Sequence, residues 1–145
     1  MATIYQDRTI TAPTPTPENQ PFFDAATRGE LLIKRCADCK EAHWYPRTIC
    51  PFCGSDQTRW EQASGRGIVY SWQRPRHPVH PALKTAVPYI VVLVELPDAG
   101  HVRMIGNLLG DPEQAVRIGM PVEAVFEDHA GEMPFTLVQW RAAAE

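Results

Sequence analysis

The sequence predicts a mainly β protein with a short N-terminal helix, a cysteine-rich metal module and a five-stranded barrel. Two Cys-x-x-Cys motifs, Cys36–Cys39 and Cys50–Cys53, are separated by ten residues and predict the metal module. From residue 65 onward, runs rich in Val, Ile, Tyr and Trp recur with turn signals between them. Such regular spacing of short strands indicates a small barrel.

Composition narrows the functional classes before any motif is considered. The chain has 145 residues, with 14 Lys and Arg against 17 Asp and Glu, giving a net charge of −3. This length suits one domain or two small ones, and the acidic balance argues against nucleic-acid binding through bulk charge. No apolar run approaches the roughly 20 residues that span a bilayer. The N-terminal residues do not form a secretory signal, so we expect a cytoplasmic protein.

The chain divides into three segments. Residues 1–21 contain four prolines, which favour an extended arm over a helix. This arm either has no role or lies against a partner subunit. Residues 22–63 hold the helix and the cysteine module, and residues 64–145 hold the barrel.

The second segment begins with a helix and contains two strands. The helix is expected over 22–29, where Gly29 provides the stop. The runs 30–35 and 57–62 are read as strands on either side of the cysteines.

Five strands and one helix are predicted for the barrel. Asp111 suits an N-cap, Pro112 the first helical position, Gln114 the capping-box partner and Gly119 the stop. A helix between the third and fourth strands is the layout of an OB-fold, although another five-stranded topology would give much the same pattern. The strands are expected at 67–73, 89–96, 101–108, 121–127 and 136–140.

The cysteine module predicts one structural zinc ion. Two thiolates three residues apart at a tight turn can reach one metal, and two such turns complete a tetrahedral shell. Four protein sulfurs leave no open coordination position, so the site is expected to be structural. Iron is an alternative for four thiolates, and redox cysteines or two disulfides are a weaker one for a cytoplasmic chain. The predicted ligands are Cys36, Cys39, Cys50 and Cys53.

A second feature is a stretch without acids, which we call the basic window. Residues 62–94 contain no Asp or Glu, and the proline-rich loop 74–88 lies within them. Cations on a stiff loop beside a ligand face would suit phosphate groups. The alternative is a solvated loop whose charges only aid solubility. The basic window holds Arg66, Arg74, Arg76 and Lys84.

Aromatic residues near the metal module are candidates for a partner interface. Trp44 and Tyr45 are expected at the tip of the metal hairpin, where exposed rings suit a protein contact. Packing of these rings against the barrel or the N-terminal helix is an equal alternative. Phe22 and Phe23 are further candidates. No nucleophile elbow or triad signature is present, and no catalytic residue is predicted.

A set of short motifs lies along residues 22–140. They are Phe22-Phe23, Gly29-Glu-Leu-Leu, Arg35-Cys-x-x-Cys, Tyr45-Pro-Arg47, Cys50-Pro-x-Cys-Gly54, Gly65-Arg-Gly-x-Val-Tyr-Ser71, Pro88-Tyr-x-Val-x-Leu-Val-Glu95 and Val116-Arg-Ile-Gly-Met-Pro-Val122. Taken together, these motifs resemble the family of zinc-ribbon OB-fold proteins associated with acyl-CoA enzymes. The resemblance implies a rubredoxin-like zinc ribbon followed by an OB-fold. It also implies a non-catalytic partner of a thiolase-superfamily enzyme or of a hotdog-type enoyl-CoA hydratase.

The function expected first is therefore an accessory subunit of an acyl-CoA-processing enzyme in lipid or aromatic acid metabolism. Its partner would be a thiolase-like subunit that makes or breaks a carbon–carbon bond beside the CoA thioester. The chain would form a hetero-oligomer, stabilise the partner and shape its CoA entrance, with the basic window contacting acyl-CoA by inference from charge.

Three alternatives differ in class. The first is the accessory subunit of a hotdog-fold hydratase. The second is a single-stranded nucleic-acid module, for which Tyr70, Trp72 and Tyr89 could stack on bases. The third, a freestanding enzyme, has least support.

Overall fold

The computed structural model describes residues 10–144 of the chain. It has one α-helix, eight strands, and two 3-10 turns at Pro81–Leu83 and Pro97–Ala99. The elements are α1 (Gln20–Thr27), β1 (Leu31–Cys36), β2 (Ala42–His43), β3 (Thr58–Ala63), β4 (Arg66–Gln73), β5 (Val91–Leu96), β6 (Val102–Asn107), β7 (Pro121–His129) and β8 (Phe135–Ala142).

The strands form two antiparallel sheets. The first has the order β2-β1-β3 and carries the cysteines; the second has the order β6-β5-β4-β7-β8. The ends of the second sheet meet through a parallel bridge between Leu108 and Trp140, where the Leu109 N–H donates to the Trp140 carbonyl at 2.8 Å. The sheet is thereby a nearly closed barrel with the strand order of an OB-fold. The predicted fold class is confirmed.

Helix α1 begins two residues before the predicted start. Pro21 lies in its first turn, where a missing N–H costs nothing. Phe22, Ala25 and Ala26 are buried, and Gly29 adopts a left-handed φ of 75° just after the helix. The helix starts inside the range expected for the extended arm. Residues 1–9 of that arm lie outside the described residues.

The helix predicted over 111–119 is wrong, because this segment contains turns and irregular backbone. The Asp111 carboxylate accepts from the Glu113 N–H at 2.8 Å, and the Gln114 amide donates to the carbonyls of Leu109 and Asp111. The Arg74 guanidinium also donates hydrogen bonds to two backbone carbonyls of the segment. Side-chain bonds of this kind compete with the backbone bonds of a short helix, whose nucleation is already costly.

One apolar core joins both sheets. Leu31 and Ile33 of β1 belong to the same buried cluster as Leu96, Val102 and Trp140 of the barrel. The metal module is thus attached to the barrel through shared packing, and α1 contacts both β1 and β8. No helix among the described residues is long and apolar enough to cross a membrane.

Candidate metal centre and adjoining surfaces

The four cysteines converge on one point. Their sulfur atoms all lie within 4.8 Å of one another. The Sγ atoms of Cys36 and Cys53 are 3.6 Å apart, as are those of Cys39 and Cys50. A tetrahedral zinc ion with Zn–S bonds of about 2.3 Å places its sulfurs about 3.8 Å apart. The geometry therefore fits a four-thiolate metal site.

The two Cys-x-x-Cys turns have the same backbone construction. The Cys36 carbonyl accepts from the Lys40 N–H at 3.1 Å, and the Cys50 carbonyl accepts from the Gly54 N–H at 3.0 Å. Lys40 and Gly54 occupy equivalent places with left-handed φ angles of 68° and 76°. Glycine adopts this conformation without the steric cost that lysine carries. The first turn is therefore the more strained.

Backbone N–H groups prepare the first sulfur for a metal. Hydrogen bonds from the backbone of Cys39, and secondarily of Asp38, lower the pKa of Cys36 to about 6 against the effect of burial. For Cys39 the backbone of Glu41 acts in the same direction, but burial and the neighbouring thiols outweigh it and raise the pKa to about 12. Thiolates are the form that binds metal, so Cys36 is favoured over Cys39 as a thiolate before the metal arrives.

The basic window does not present its four cations alike. Arg66 and Lys84 are exposed. The Arg76 guanidinium makes a two-point ion pair with Glu113, at 2.8 and 3.0 Å. Arg74 donates to the carbonyls of Pro112 and Gln114 and stacks over the Trp72 ring. Two of the predicted phosphate contacts are therefore engaged with the segment 111–119, which the sequence did not indicate.

The predicted interface aromatics lie together around one depression, which we call the apolar groove. It has a volume of about 330 Å³ and lies between α1, the pair Trp44–Tyr45 (the ribbon tip) and strands β6 and β8. The Phe22 and Trp44 rings have centroids 4.6 Å apart, so the tip packs on the helix, whereas Tyr45 is 50% exposed. The principal lining residues are Phe22, Phe23, Trp44, Tyr45, Ile105 and Leu137.

A second depression lies on the other side of the ribbon tip, and we call it the cationic cleft. It has a volume of about 440 Å³ between the metal module and β6. This cleft was not predicted from the sequence, because its residues come from separate elements and share no motif. The fold brings together Arg and His residues beside the aromatic tip and on β6, and this clustering cannot be seen in the sequence. The polar lining residues are Glu41, His43, Arg47, His101 and Arg103.

The fold and the cysteine site together define a zinc-ribbon OB-fold protein. Residues 23–59 match the profile described as "ChsH2, rubredoxin-like zinc ribbon domain", and residues 60–127 match "ChsH2, C-terminal OB-fold domain". The chain belongs to this ChsH2-type family of DUF35 proteins, and the resemblance inferred from the sequence is confirmed.

Three relatives illustrate the range of the family. The solved chain titled "Ltp2-ChsH2(DUF35) aldolase" is 38% identical with a TM-score of 0.78, covering 92% of this chain and 100% of its own. A DUF35 domain-containing scaffold protein of Methanocaldococcus jannaschii is 35% identical over 101 residues, which are 66% of this chain and 67% of that protein. A probable enoyl-CoA hydratase alpha subunit of Thermomonospora curvata is 42% identical over 105 residues, 72% of this chain. The match spans about one third (32%) of that hydratase subunit.

Proposed function

We propose that this chain is a non-catalytic accessory subunit of an acyl-CoA-processing enzyme. Its catalytic partner is a thiolase-like enzyme that makes or breaks a carbon–carbon bond beside the CoA thioester. The observation that carries the proposal is the full coverage of a 38% identical chain whose structure is titled as an aldolase with ChsH2(DUF35). The scaffold name of the archaeal relative supports a role without chemistry of its own. The cytoplasmic location expected from the sequence belongs to the same proposal.

The metal in this proposal is one zinc ion held by Cys36, Cys39, Cys50 and Cys53. With all four positions taken by protein sulfur, the ion stabilises the fold and offers no site to a substrate. Metal analysis of the purified chain should give one zinc per chain, and a visible absorption band of an iron–thiolate centre would contradict zinc.

The basic window provides the proposed contact with CoA. Arg66 and Lys84 are exposed and can reach a phosphate, whereas Arg74 and Arg76 hold the segment 111–119 beside them. In the proposal, Arg74 and Arg76 position that segment. The chain would thereby form one wall of the CoA entrance while the reacting groups belong to the partner.

A hotdog-fold enoyl-CoA hydratase is the second candidate partner. Two relatives carry the name of a hydratase alpha subunit, and the chain matches about one third of each, 32% and 33%. The remaining two thirds of those proteins have no counterpart in this chain.

Observations on the aromatic residues weigh against the nucleic-acid alternative. The Arg103 guanidinium lies 3.7 Å from the centroid of the Tyr70 ring, and Arg74 lies over Trp72. Tyr89 is buried. Base stacking needs open ring faces, so these three residues are poorly prepared for it.

Coexpression with the neighbouring genes, followed by native mass spectrometry, tests the proposal. We expect a hetero-oligomer with one catalytic chain, and an assay of carbon–carbon cleavage against hydration assigns its class. A chain that remains alone with every neighbour would overturn the proposal.

The CoA contact is tested separately in that complex. Arg66→Ala and Lys84→Ala should each weaken CoA binding severalfold, because each removes an ion pair with a phosphate. Arg59→Ala is the control, since this exposed arginine lies on β3 of the metal module. Equal affinity in all three variants would remove the basic window from the CoA site.

A further inference from the structure

We propose that the apolar groove and the cationic cleft form one docking surface for a segment of the catalytic subunit that has apolar side chains beside an acidic one. This inference rests on the proposed function and adds where the partner binds and which chemistry it presents.

The groove has the composition of an anchor pocket. Its walls are mainly aromatic and aliphatic, and Ile105 on β6 is 72% exposed beside it. A volume of about 330 Å³ accommodates a few large apolar side chains. Exposed apolar surface concentrated around a pocket is typical of protein interfaces, where buried anchors provide most of the affinity.

The groove is already ordered without a partner. The Asn19 side-chain NH2 group donates to the Tyr45 hydroxyl, and the Asn19 side-chain oxygen Oδ1 accepts from the Thr16 N–H at 2.7 Å. On the floor, the Gln139 side-chain oxygen Oε1 accepts from the Asn107 N–H at 2.7 Å. Because these polar groups are satisfied and the rings packed, binding costs little conformational entropy.

The cleft supplies the charge that selects the partner. Arg47 and Arg103 are exposed within it. Glu95, the acid nearest to Arg103, is shared with His101 at 2.8 Å and lies 3.8 Å from the Arg103 guanidinium. Glu41 is the acid that lines the cleft, so the cations are only partly compensated and suit a carboxylate.

Buried His43 gives a second indication of a polar occupant. It is 4% exposed and lines the cleft. The backbone of Arg47 is a polar neighbour of the ring, but neither ring nitrogen makes a hydrogen bond of standard geometry with the described residues. Buried polar atoms nearly always have a partner. A carboxylate or amide of a docked segment, or a water it holds in place, would provide one.

The two depressions adjoin at the ribbon tip, so the apolar and acidic parts of the segment would lie side by side. Both are lined by Trp44 and Tyr45, and both border β6, on which Arg103 faces the cleft and Ile105 the groove. A segment crossing the ribbon tip therefore places its apolar side chains in the groove and its acid in the cleft. An acyl chain would fill the groove alone, and an oligonucleotide would need more cations and open ring faces.

The test uses the coexpressed complex and two kinds of variant. Ile105→Glu removes the apolar contact at an exposed position, and the double variant Arg47→Glu with Arg103→Glu reverses the charge of the cleft. Each should weaken the affinity of the catalytic subunit at least tenfold, and the loss in the double variant should shrink in high salt. Met133→Glu is the control, because Met133 is a similarly exposed apolar residue (67%) that lines neither depression. Melting temperature and zinc content verify that every variant is folded.

Each outcome decides the proposal. If the catalytic subunit binds all variants like the wild type, or if Met133→Glu weakens binding as much as Ile105→Glu, the docking surface is overturned while the proposed function stands. If no subunit joins the wild-type chain, both are overturned. If a 20-nucleotide single strand binds the wild type but not the double variant Arg47→Glu with Arg103→Glu, the cleft is assigned to nucleic acid and the docking surface is overturned.

Discussion

The metal module and the barrel of this chain are stabilised by different interactions. Around the two cysteine turns, residues 36–57 bury little beyond two cysteines and a few small or polar side chains. The barrel buries a continuous set of large apolar residues, including Val69, Val92, Leu96 and Trp140. A module this small cannot exclude enough apolar surface from water to fold alone. We expect sulfur–metal bonds to take that role around residues 36–57, whereas apolar packing takes it in the barrel and in strand β1, which shares its core.

Removal of the metal should separate the two regions, and this is the largest effect we expect. Chelation, or Cys36→Ser or Cys50→Ser, should cost the module on the order of 10 kcal/mol, the scale of structural zinc sites. Hydrogen exchange should show loss of protection over 36–57 while β5 and β7 remain protected. Thr48→Ala is the control, because its exposed side chain lies between the two turns. A module that stays protected after chelation would contradict the comparison.

The converse change targets the barrel and leaves the metal in place. A Cβ at Gly67 would lie 2.3 Å from Cγ1 of Val94 and 3.0 Å from the Glu95 carbonyl. Gly67→Ala should therefore destabilise the barrel by about 1–3 kcal/mol through overpacking. Thermal denaturation measures the loss, and zinc content should be unchanged. Ser71→Ala, an exposed position on the same strand, serves as the control; an unaltered melting temperature for Gly67→Ala would disprove the expectation.

The two cysteine turns allow a smaller, symmetrical test within the module. Gly54→Ala should cost about 1 kcal/mol, since φ is 76° there although no atom lies within 4 Å of the added Cβ. At the equivalent place, the Lys40→Gly variant should be more stable than Lys40→Ala by a similar amount, because glycine adopts the left-handed φ without steric cost. The comparison isolates the backbone, since both variants lose the side-chain contact with the Ala37 carbonyl. Zinc-competition titrations would measure both differences. The reverse order at position 40 would refute the assignment of strain.

Most of the fold could be predicted from the sequence because its signals are local. The strands follow alternating patterns between Gly and Pro turns, and the cysteine spacing indicated the metal site. The segment 111–119 was mispredicted because its conformation depends on Arg74, about 40 residues away in the chain. The ion pair of Arg76 with Glu113 was hidden for the same reason. The groove and the cleft require three elements to be placed side by side, which no local pattern reports.

Two Arg–Glu pairs extend the comparison to electrostatics, with the smallest expected effect. A side-chain hydrogen bond from Arg35 lowers the pKa of Glu61 in the module, and one from Arg76 lowers the pKa of Glu113 beside the barrel. A lowered carboxyl pKa contributes stability above the ordinary value of about 4.3, and that contribution disappears as the pH falls through the lowered value.

NMR titration of the two carboxylates measures this effect. Arg35→Gln and Arg76→Gln should each return the pKa of their partner to the ordinary range, with the other pair as internal control. Salt should raise the pKa of Glu113 more than that of Glu61, because the Arg76 pair is the more exposed. Equal salt responses would show that exposure does not distinguish the pairs.

The bridge between Leu108 and Trp140 has a consequence for the order of assembly. Helix α1 packs against β8, so an element near the start of the chain waits for a strand more than 100 residues later before it can dock. The cysteine turns lie between them and need only local contacts, so metal capture can precede barrel closure. Contacts of such long sequence separation slow folding. We therefore expect the pairing of β8 to close the barrel and to complete the surface on which α1 packs, in one late step.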